Sequence, residues 1–423
     1  MAFKDLPKAA RNFLIGLFAV AIIILFLMGF RNFSFTVIKE KFYVFLFLLI
    51  FISLSDLFRV EFTLMNSDKA AITLSLPATF ATIFIFNPLF ATLVSSLGSI
   101  VGDILSRRDW FKTMFNFSQY VITVGLSSLA YNLMLSLEGT SQTPVLSWFS
   151  AVTVAALIYF LLNSFLVSAI TALVSKNRIL DTFLFMFRRN EILFQFISMF
   201  ILGGLFAYIL KTEPLAMILL IPLFISVYYS FKRLSETEEA AENFMEVIAG
   251  IVDDFDKYTK EHSENVSRIC EKVANEMKLD LVAKRKLIMA AKVHDFGKVA
   301  VPQKILNKRG KLTKEEYEKI KEHPVIGADL IGKFPYLKEI STIVKYHHKK
   351  LDGTGYPEDG ISKIPLEARI LTVCDVYEAL TSERPYRNAW TKEEAIRYLE
   401  ENESKFDKDV VRALKELFKR GEV

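Results

Sequence analysis

The sequence predicts an all-α protein in two parts, a polytopic helical membrane domain followed by a cytosolic all-helical domain. Three observations predict it. Hydrophobic residues make up 52 % of the 423, more than a soluble enzyme of this size carries, and the excess lies before about residue 231 as successive runs rich in Phe, Leu and Ile. After that point Lys and Glu dominate and apolar residues recur every three or four positions. All five histidines fall between His262 and His348, inside the second part.

About eight apolar runs approach the roughly 20 residues that cross a bilayer: 12–30, 42–58, 70–86, 88–105, 114–136, 146–173, 192–210 and 214–230. The first is long, with no small-residue cleavage site before Arg31, so it reads as a span rather than a cleaved signal peptide. The third and fourth are separated only by Asn87-Pro88, and two readings stand: two full spans, or a broken, re-entrant pair shielded by protein. With an even number of spans, Lys4, Lys8, Arg11, Arg107, Arg108, Lys112, Lys176, Arg178, Arg188, Arg189, Lys232 and Arg233 fall on one side, which places both termini in the cytoplasm and the chain in the inner membrane. Arg31, Lys39 and Lys41 oppose this orientation and are outnumbered.

Asp103, Asn116 and Asn163 sit in or at the edge of apolar runs. Polar groups in lipid are costly, so they mark a packed polar interior or ligand cavity, or, for Asp103, an interfacial partner of Arg107 and Arg108. Cys270 and Cys374 are the only cysteines, both in the cytosolic half, and imply no disulfide framework. The formal charge of +5 is accounted for largely by the basic residues flanking the spans and suggests no nucleic-acid partner.

Between the halves, Phe244, Val247, Ile248, Ile251, Val252 and Phe255 recur at helical spacing opposite Glu238, Glu239, Glu242 and Asp253. That stripe either pairs with a second subunit, making a homodimer through the connecting helix, or packs on its own domain. Farther on, Thr313 with Glu316 and Thr391 with Glu394 are capping boxes, expected to start the helix carrying His323 and the helix after Trp390. Gly353, Gly355, Pro357 and Gly360 mark a loop directly after His347-His348.

The segment His294-Asp295-Phe296-Gly297-Lys298 is joined by His262, His323, His347, His348 and Asp375 at wide, helix-sized intervals. Imidazole and carboxylate together suit borderline divalent ions, whereas magnesium and calcium prefer oxygen-only shells. A carboxylate next to a histidine can span two ions, and two ions roughly 3.5–4 Å apart can clamp both oxygens of a phosphoryl displacement. This donor set points to a phosphohydrolase built on several helices of a bundle.

The run His347-His348-Lys349-Lys350-Leu351-Asp352-Gly353-Thr354-Gly355-Tyr356-Pro357, taken with the segment at 294–298, His323-Pro324, Leu366 to Asp375 and Arg384-Pro385-Tyr386-Arg387, resembles the HD-GYP family of cyclic di-GMP phosphodiesterases. The resemblance covers about residues 245–420. It implies an HD-GYP domain over 257–423; the apolar runs before it read as a membrane domain over 1–231, whose stretch from Asn87 through Asp103 to Asn116 resembles the membrane sensor regions attached to bacterial signalling enzymes, and residues 232–256 as a connecting signalling helix. The HD-GYP resemblance also implies two divalent ions, iron or manganese before nickel or zinc, held by His262, His294, Asp295 and Asp375 on one side and Asp295, His323, His347 and His348 on the other. Asp295 would bridge. Lys298 would serve the scissile phosphate or the leaving oxygen, and Asp256, Tyr356, Ala379, Arg384 and Arg387 would line the dinucleotide. The glycine-tyrosine-proline loop is also a docking place for a signalling partner in such a protein.

Two departures stand out. Tyr258 occupies the place where some family members carry a third-metal Glu, which favours two ions, and Lys349 follows the histidine pair where Glu is common. The expected reaction is opening of cyclic di-GMP to pGpG, with slower conversion to GMP. The alternatives are hydrolysis of another cyclic dinucleotide and a low-activity receptor that binds the dinucleotide and signals through partners.

Overall fold

The computed structural model describes residues 3–32, 35–65, 68–137, 144–175, 177–188, 190–255, 259–306, 308, 310–334, 337–361, 363–383 and 388–423. The chain divides into two compact units, Met1–Ser235 and Glu236–Val423. The described residues are all-helical apart from one pair of strands, their turns and the connecting loops.

In the first unit, α1 (Lys8–Asn32) and α2 (Phe35–Ser55) precede antiparallel strands β1 (Arg59–Met65) and β2 (Asp68–Thr73). Then come α3 (Leu76–Ile85), α4 (Pro88–Leu105), α5 (Trp110–Leu137), α6 (Pro144–Ser175), α7 (Ile179–Arg188), α8 (Asn190–Thr212) and the start of α9 (Ile221–Phe255). Among the described residues, five apolar stretches are long enough to cross a membrane by length and composition: Lys8–Gly29, Pro88–Leu105, Trp110–Leu137, Ser147–Ser175 and Pro214–Thr237. Lys41–Ser55, Leu76–Ile85 and Phe196–Thr212 are shorter.

The expected span at 70–86 is therefore corrected. Its first residues belong to β2, and the alternation Arg59-Val60-Glu61-Phe62-Thr63-Leu64 is the period-two pattern of the strand that pairs with it. The ten residues of α3 rise about 15 Å, half of a hydrocarbon core. Buried throughout from Pro77 to Ile85, this helix packs on α8, where a Cβ on Gly203 would lie 2.6 Å from Phe80 Cβ. Gly98 and Gly102, four apart on α4, likewise press on Ile52 and Asp56 of the α2 region, a small-residue contact that lets two apolar helices approach closely. Asp103 is buried, accepts a hydrogen bond from Asn116 Nδ2 at 2.8 Å and pairs with Arg108 at 3.2 Å. Gln119 donates to Asn163.

The second unit holds the end of α9, then α10 (Thr259–Glu276), α11 (Leu281–Val293), α12 (Gln303–Leu306), α13 (Lys314–Lys321), α14 (His323–Ile331), α15 (Lys338–Tyr346), α16 (Leu366–Thr381), α17 (Lys392–Glu401) and α18 (Lys408–Lys419). Asp280, Thr313, Thr391 and Asp407 accept hydrogen bonds from the first free N–H groups of α11, α13, α17 and α18. The capping box at Thr313 does not start the helix that carries His323. That helix ends at Lys321, and His323 opens α14, because Pro324 has no N–H to continue the earlier ladder but is at home in a first turn.

The core of this unit gathers Val266 and Cys270 of α10, Leu287 and Ala291 of α11, Ile343 and Val344 of α15, Leu371, Cys374 and Tyr377 of α16, and Leu414 of α18. On α9, Met245 joins this core, Phe244 lies 4.6 Å from Phe334 ring to ring, and Val247 is exposed.

Candidate metal centre

Five helix ends and interiors converge on one buried cluster. His262 comes from α10, His294 and Asp295 from the end of α11, His323 from the start of α14, His347 and His348 from the end of α15, and Asp375 from α16. Neighbouring imidazoles lie 4.0–5.4 Å apart between ring centres, from His262 through His294, His347 and His348 to His323.

Backbone carbonyls set the rings. His294 Nδ1 donates to Ala291 O at 2.8 Å, His323 Nδ1 to Ile320 O at 2.6 Å and His347 Nδ1 to Val344 O at 2.6 Å. In a neutral imidazole the proton so placed leaves Nε2 as a bare acceptor. Each acceptor is turned inward. His294 Nε2 lies 3.5 Å from Asp295 Oδ2 and His323 Nε2 3.3 Å from Asp295 Oδ1, lone pair against carboxylate oxygen, while the buried Nε2 atoms of His323 and His347 find no hydrogen-bond partner among the described residues. Facing acceptors in a buried site are what a cation would satisfy. Two donor groups result, His262 with His294 and Asp295, and His323 with His347 and His348, the ligand atoms within each lying within 4.8 Å of one another. The clusters are consistent with divalent metal binding, and the nitrogen-rich set suits borderline ions.

Asp295 turns one oxygen toward each group, and Asp375 also touches both, with Oδ1 at 3.1 Å from His262 Nε2 and Oδ2 at 3.8 Å from His348 Nδ1. Burial drives the His294, His347 and His348 pKa values down, that of His348 to about 3, so these rings are neutral and ready to ligate. Burial would raise Asp295, but Lys298, His294 and His323 outweigh it and hold the carboxyl well below its usual range. Lys298 Nζ donates to Asp295 Oδ2 at 2.7 Å.

Two glycines fix this geometry. A Cβ on Gly297 would fall 1.8 Å from His323 O and 2.7 Å from Gly327 N, so the turn after Asp295 lies backbone to backbone on the start of α14. Gly355 has φ +80°, and its Cβ would fall 2.1 Å from His348 O, which ties the loop to the histidine pair. Tyr356 then sets its ring 4.7 Å from that of His348, and burial pushes its hydroxyl pKa up. Ala379 is half-buried on α16. Lys349 is buried and lines a small cavity with Arg369, Thr372, Lys405 and Asp407. Asp256, Tyr258, Arg384 and Arg387 lie outside the described residues.

Sequence reasoning missed Glu378. It is buried, accepts from His262 Nδ1, and is itself held by Ser382 Oγ at 2.8 Å and Asn265 Nδ2 at 3.4 Å. Its position three residues after Asp375, one helical turn along the same face, was the available signal.

Residues 246–410 match the HD domain family. A cyclic di-GMP phosphodiesterase response regulator of Xanthomonas campestris is 38 % identical over 169 residues, covering 39 % of this chain and 45 % of that one. A cyclic di-GMP phosphodiesterase of Thermotoga maritima is 34 % identical over 204 residues, 44 % of this chain and 55 % of that one. A 3'3'-cGAMP-specific phosphodiesterase of Vibrio cholerae is 37 % identical over 154 residues, 36 % of this chain and 33 % of that one. The chain thus spans between a third and just over half of the length of these relatives. Residues 246–410 of this chain thus match an HD domain, preceded by a region of several long apolar helices.

Proposed function

We propose that the protein is a membrane-anchored, metal-dependent phosphodiesterase that opens cyclic di-GMP to pGpG. The observation that carries this reading is the position of Asp295, with one oxygen toward His294 Nε2 and the other toward His323 Nε2, in a centre where the buried Nε2 atoms of His323 and His347 find no hydrogen-bond partner among the described residues. Two divalent ions, iron or manganese, would be held by His262, His294, Asp295 and Asp375 and by Asp295, His323, His347 and His348; when bound they would activate water at neutral pH and neutralise phosphate charge.

The chain's own residues supply the rest. Asp295 holds the two halves in register. Lys298, 2.7 Å from Asp295, brings a positive charge to the place where negative charge develops on the phosphate. Tyr356 closes one side of the site and offers a ring face to a base. Asp256, Ala379, Arg384 and Arg387 complete the dinucleotide site in this reading, the guanidinium groups suiting phosphate oxygens. The apolar helices anchor the enzyme in the cytoplasmic membrane with both termini inside and pass a signal through α9, with a homodimer formed along that helix.

The relatives named for 3'3'-cGAMP support a second substrate reading. Full-length protein in detergent, loaded anaerobically with iron or manganese, is to be offered cyclic di-GMP, 3'3'-cGAMP and cyclic di-AMP, with products separated by chromatography. Conversion of cyclic di-GMP to pGpG at the highest kcat/KM is expected. Faster turnover of 3'3'-cGAMP would replace the substrate assignment, and absence of any cleavage would leave a dinucleotide receptor.

A further inference from the structure

The inward rings do not all get their orientation the same way. His294, His323 and His347 sit at helix ends, where a carbonyl three residues earlier accepts from Nδ1. His262 lies inside α10, where carbonyls are engaged in the helix ladder, so its Nδ1 needs an acceptor from another element. Glu378 of α16 supplies it. The carboxylate is 4 % exposed and is itself pinned from both helices, by Asn265 one turn along α10 from His262 and by Ser382 one turn along α16. With Nδ1 tied to Glu378, Nε2 points at Asp375 Oδ1, 3.1 Å away, on the side where the His294 ring lies 5.4 Å off.

We propose that Glu378 is a positioning residue that orients His262 and strengthens it as a donor, so that the His262–His294 half of the centre retains its ion through this carboxylate while the His323–His347–His348 half does not depend on it. A carboxylate behind a ligating histidine fixes the ring and raises its basicity, and its loss typically costs about 10–100-fold in metal affinity. The proposal rests on the two-ion reading of the centre and is independent of which dinucleotide is cleaved.

The test is manganese retention by the full-length protein in detergent, measured by elemental analysis after graded competition with a chelator. Glu378→Gln keeps the length of the side chain and an oxygen that can accept from Nδ1 but removes the charge; Glu378→Ala removes both. The unaltered protein should hold two ions. Glu378→Gln should hold both, with one weakened about 10–100-fold, and Glu378→Ala should hold one. Combining Glu378→Ala with His347→Ala should leave none, and His347→Ala alone should keep the ion on the His262 side. Unchanged retention in Glu378→Ala, or equal weakening of both ions in Glu378→Gln, would overturn the proposal. Altered retention in a protein that cleaves no cyclic dinucleotide would support Glu378's role while removing the substrate reading; unchanged retention with normal cleavage would do the reverse.

Discussion

Replacing Gly297 by alanine adds one methyl group where two backbones already touch. The new Cβ would sit 1.8 Å from His323 O, and about 1.2 Å of separation is needed to reach even 3.0 Å, a distance that real Cβ contacts seldom breach. The obstacle is main chain, so no side-chain rotation relieves it. The turn bearing Asp295 and the start of α14 bearing His323 must part, and the 3.3 Å approach of Asp295 Oδ1 to His323 Nε2 is lost with them. Overpacking of this kind costs about 1–3 kcal/mol of stability, and a displacement near 1 Å at a catalytic group costs on the order of 10²-fold in rate. The variant should therefore fold with a lowered Tm, hold less metal than the parent and turn over roughly 10²-fold more slowly. Gly310→Ala, whose Cβ meets nothing within 4 Å, is the matched control. Differential scanning fluorimetry, elemental analysis and a turnover assay on the same preparations suffice. A Gly297→Ala protein with full metal content and parental turnover would refute the claim that this contact sets the spacing of the centre.

Asp295→Ala should abolish turnover and lower bound metal while far-UV circular dichroism keeps its helical signal, since the carboxylate faces both histidine groups but contributes nothing to the apolar core. Lys298→Ala should keep its metal and lose about 10²–10³-fold in kcat, the range seen when one group aimed at developing charge is removed; loss of metal with an unchanged rate per loaded site would contradict that role. Although burial opposes it, hydrogen bonds to Asp375 and Glu378 and the charges of Asp375 and Asp295 hold the His262 pKa at about 10, so metal-free protein carries this proton at neutral pH. A raised folded pKa stabilises fully below the unfolded value of about 6.5 and is lost as pH rises through about 10. Metal uptake at pH 7.5 should thus release about one proton per chain, read with an indicator dye in weak buffer, and metal-free protein should lose stability between these two pH values.

The histidine cluster was legible because its residue types are scarce and confined to one stretch, and because capping boxes and glycines punctuate the helices between them. Glu378 was not legible in this way. A Glu on a helix is ordinarily a solvated charge, and only the packing of α10 on α16 turns this one toward His262. The break between α13 and α14 was signalled by Pro324, whose tolerance at a helix start outranked the continuity suggested by the capping box. In the first unit hydropathy located the apolar helices but not their lengths. The hairpin at Arg59–Thr73 took residues from the expected third span, and its alternating pattern lay next to stronger apolar runs. Likewise, the seam formed by Gly98 and Gly102 depends on which helix faces α4, which residue counts alone do not reveal.

The central claim is that the two histidine groups form one two-ion centre joined by Asp295, and anomalous scattering from manganese-loaded crystals of the full-length protein tests it most directly. The account predicts two peaks about 3.5–4 Å apart, one beside His262 and His294 and the other beside His323, His347 and His348, with one Asp295 oxygen on each. A single peak, or two peaks too far apart for one carboxylate to touch both, would contradict it.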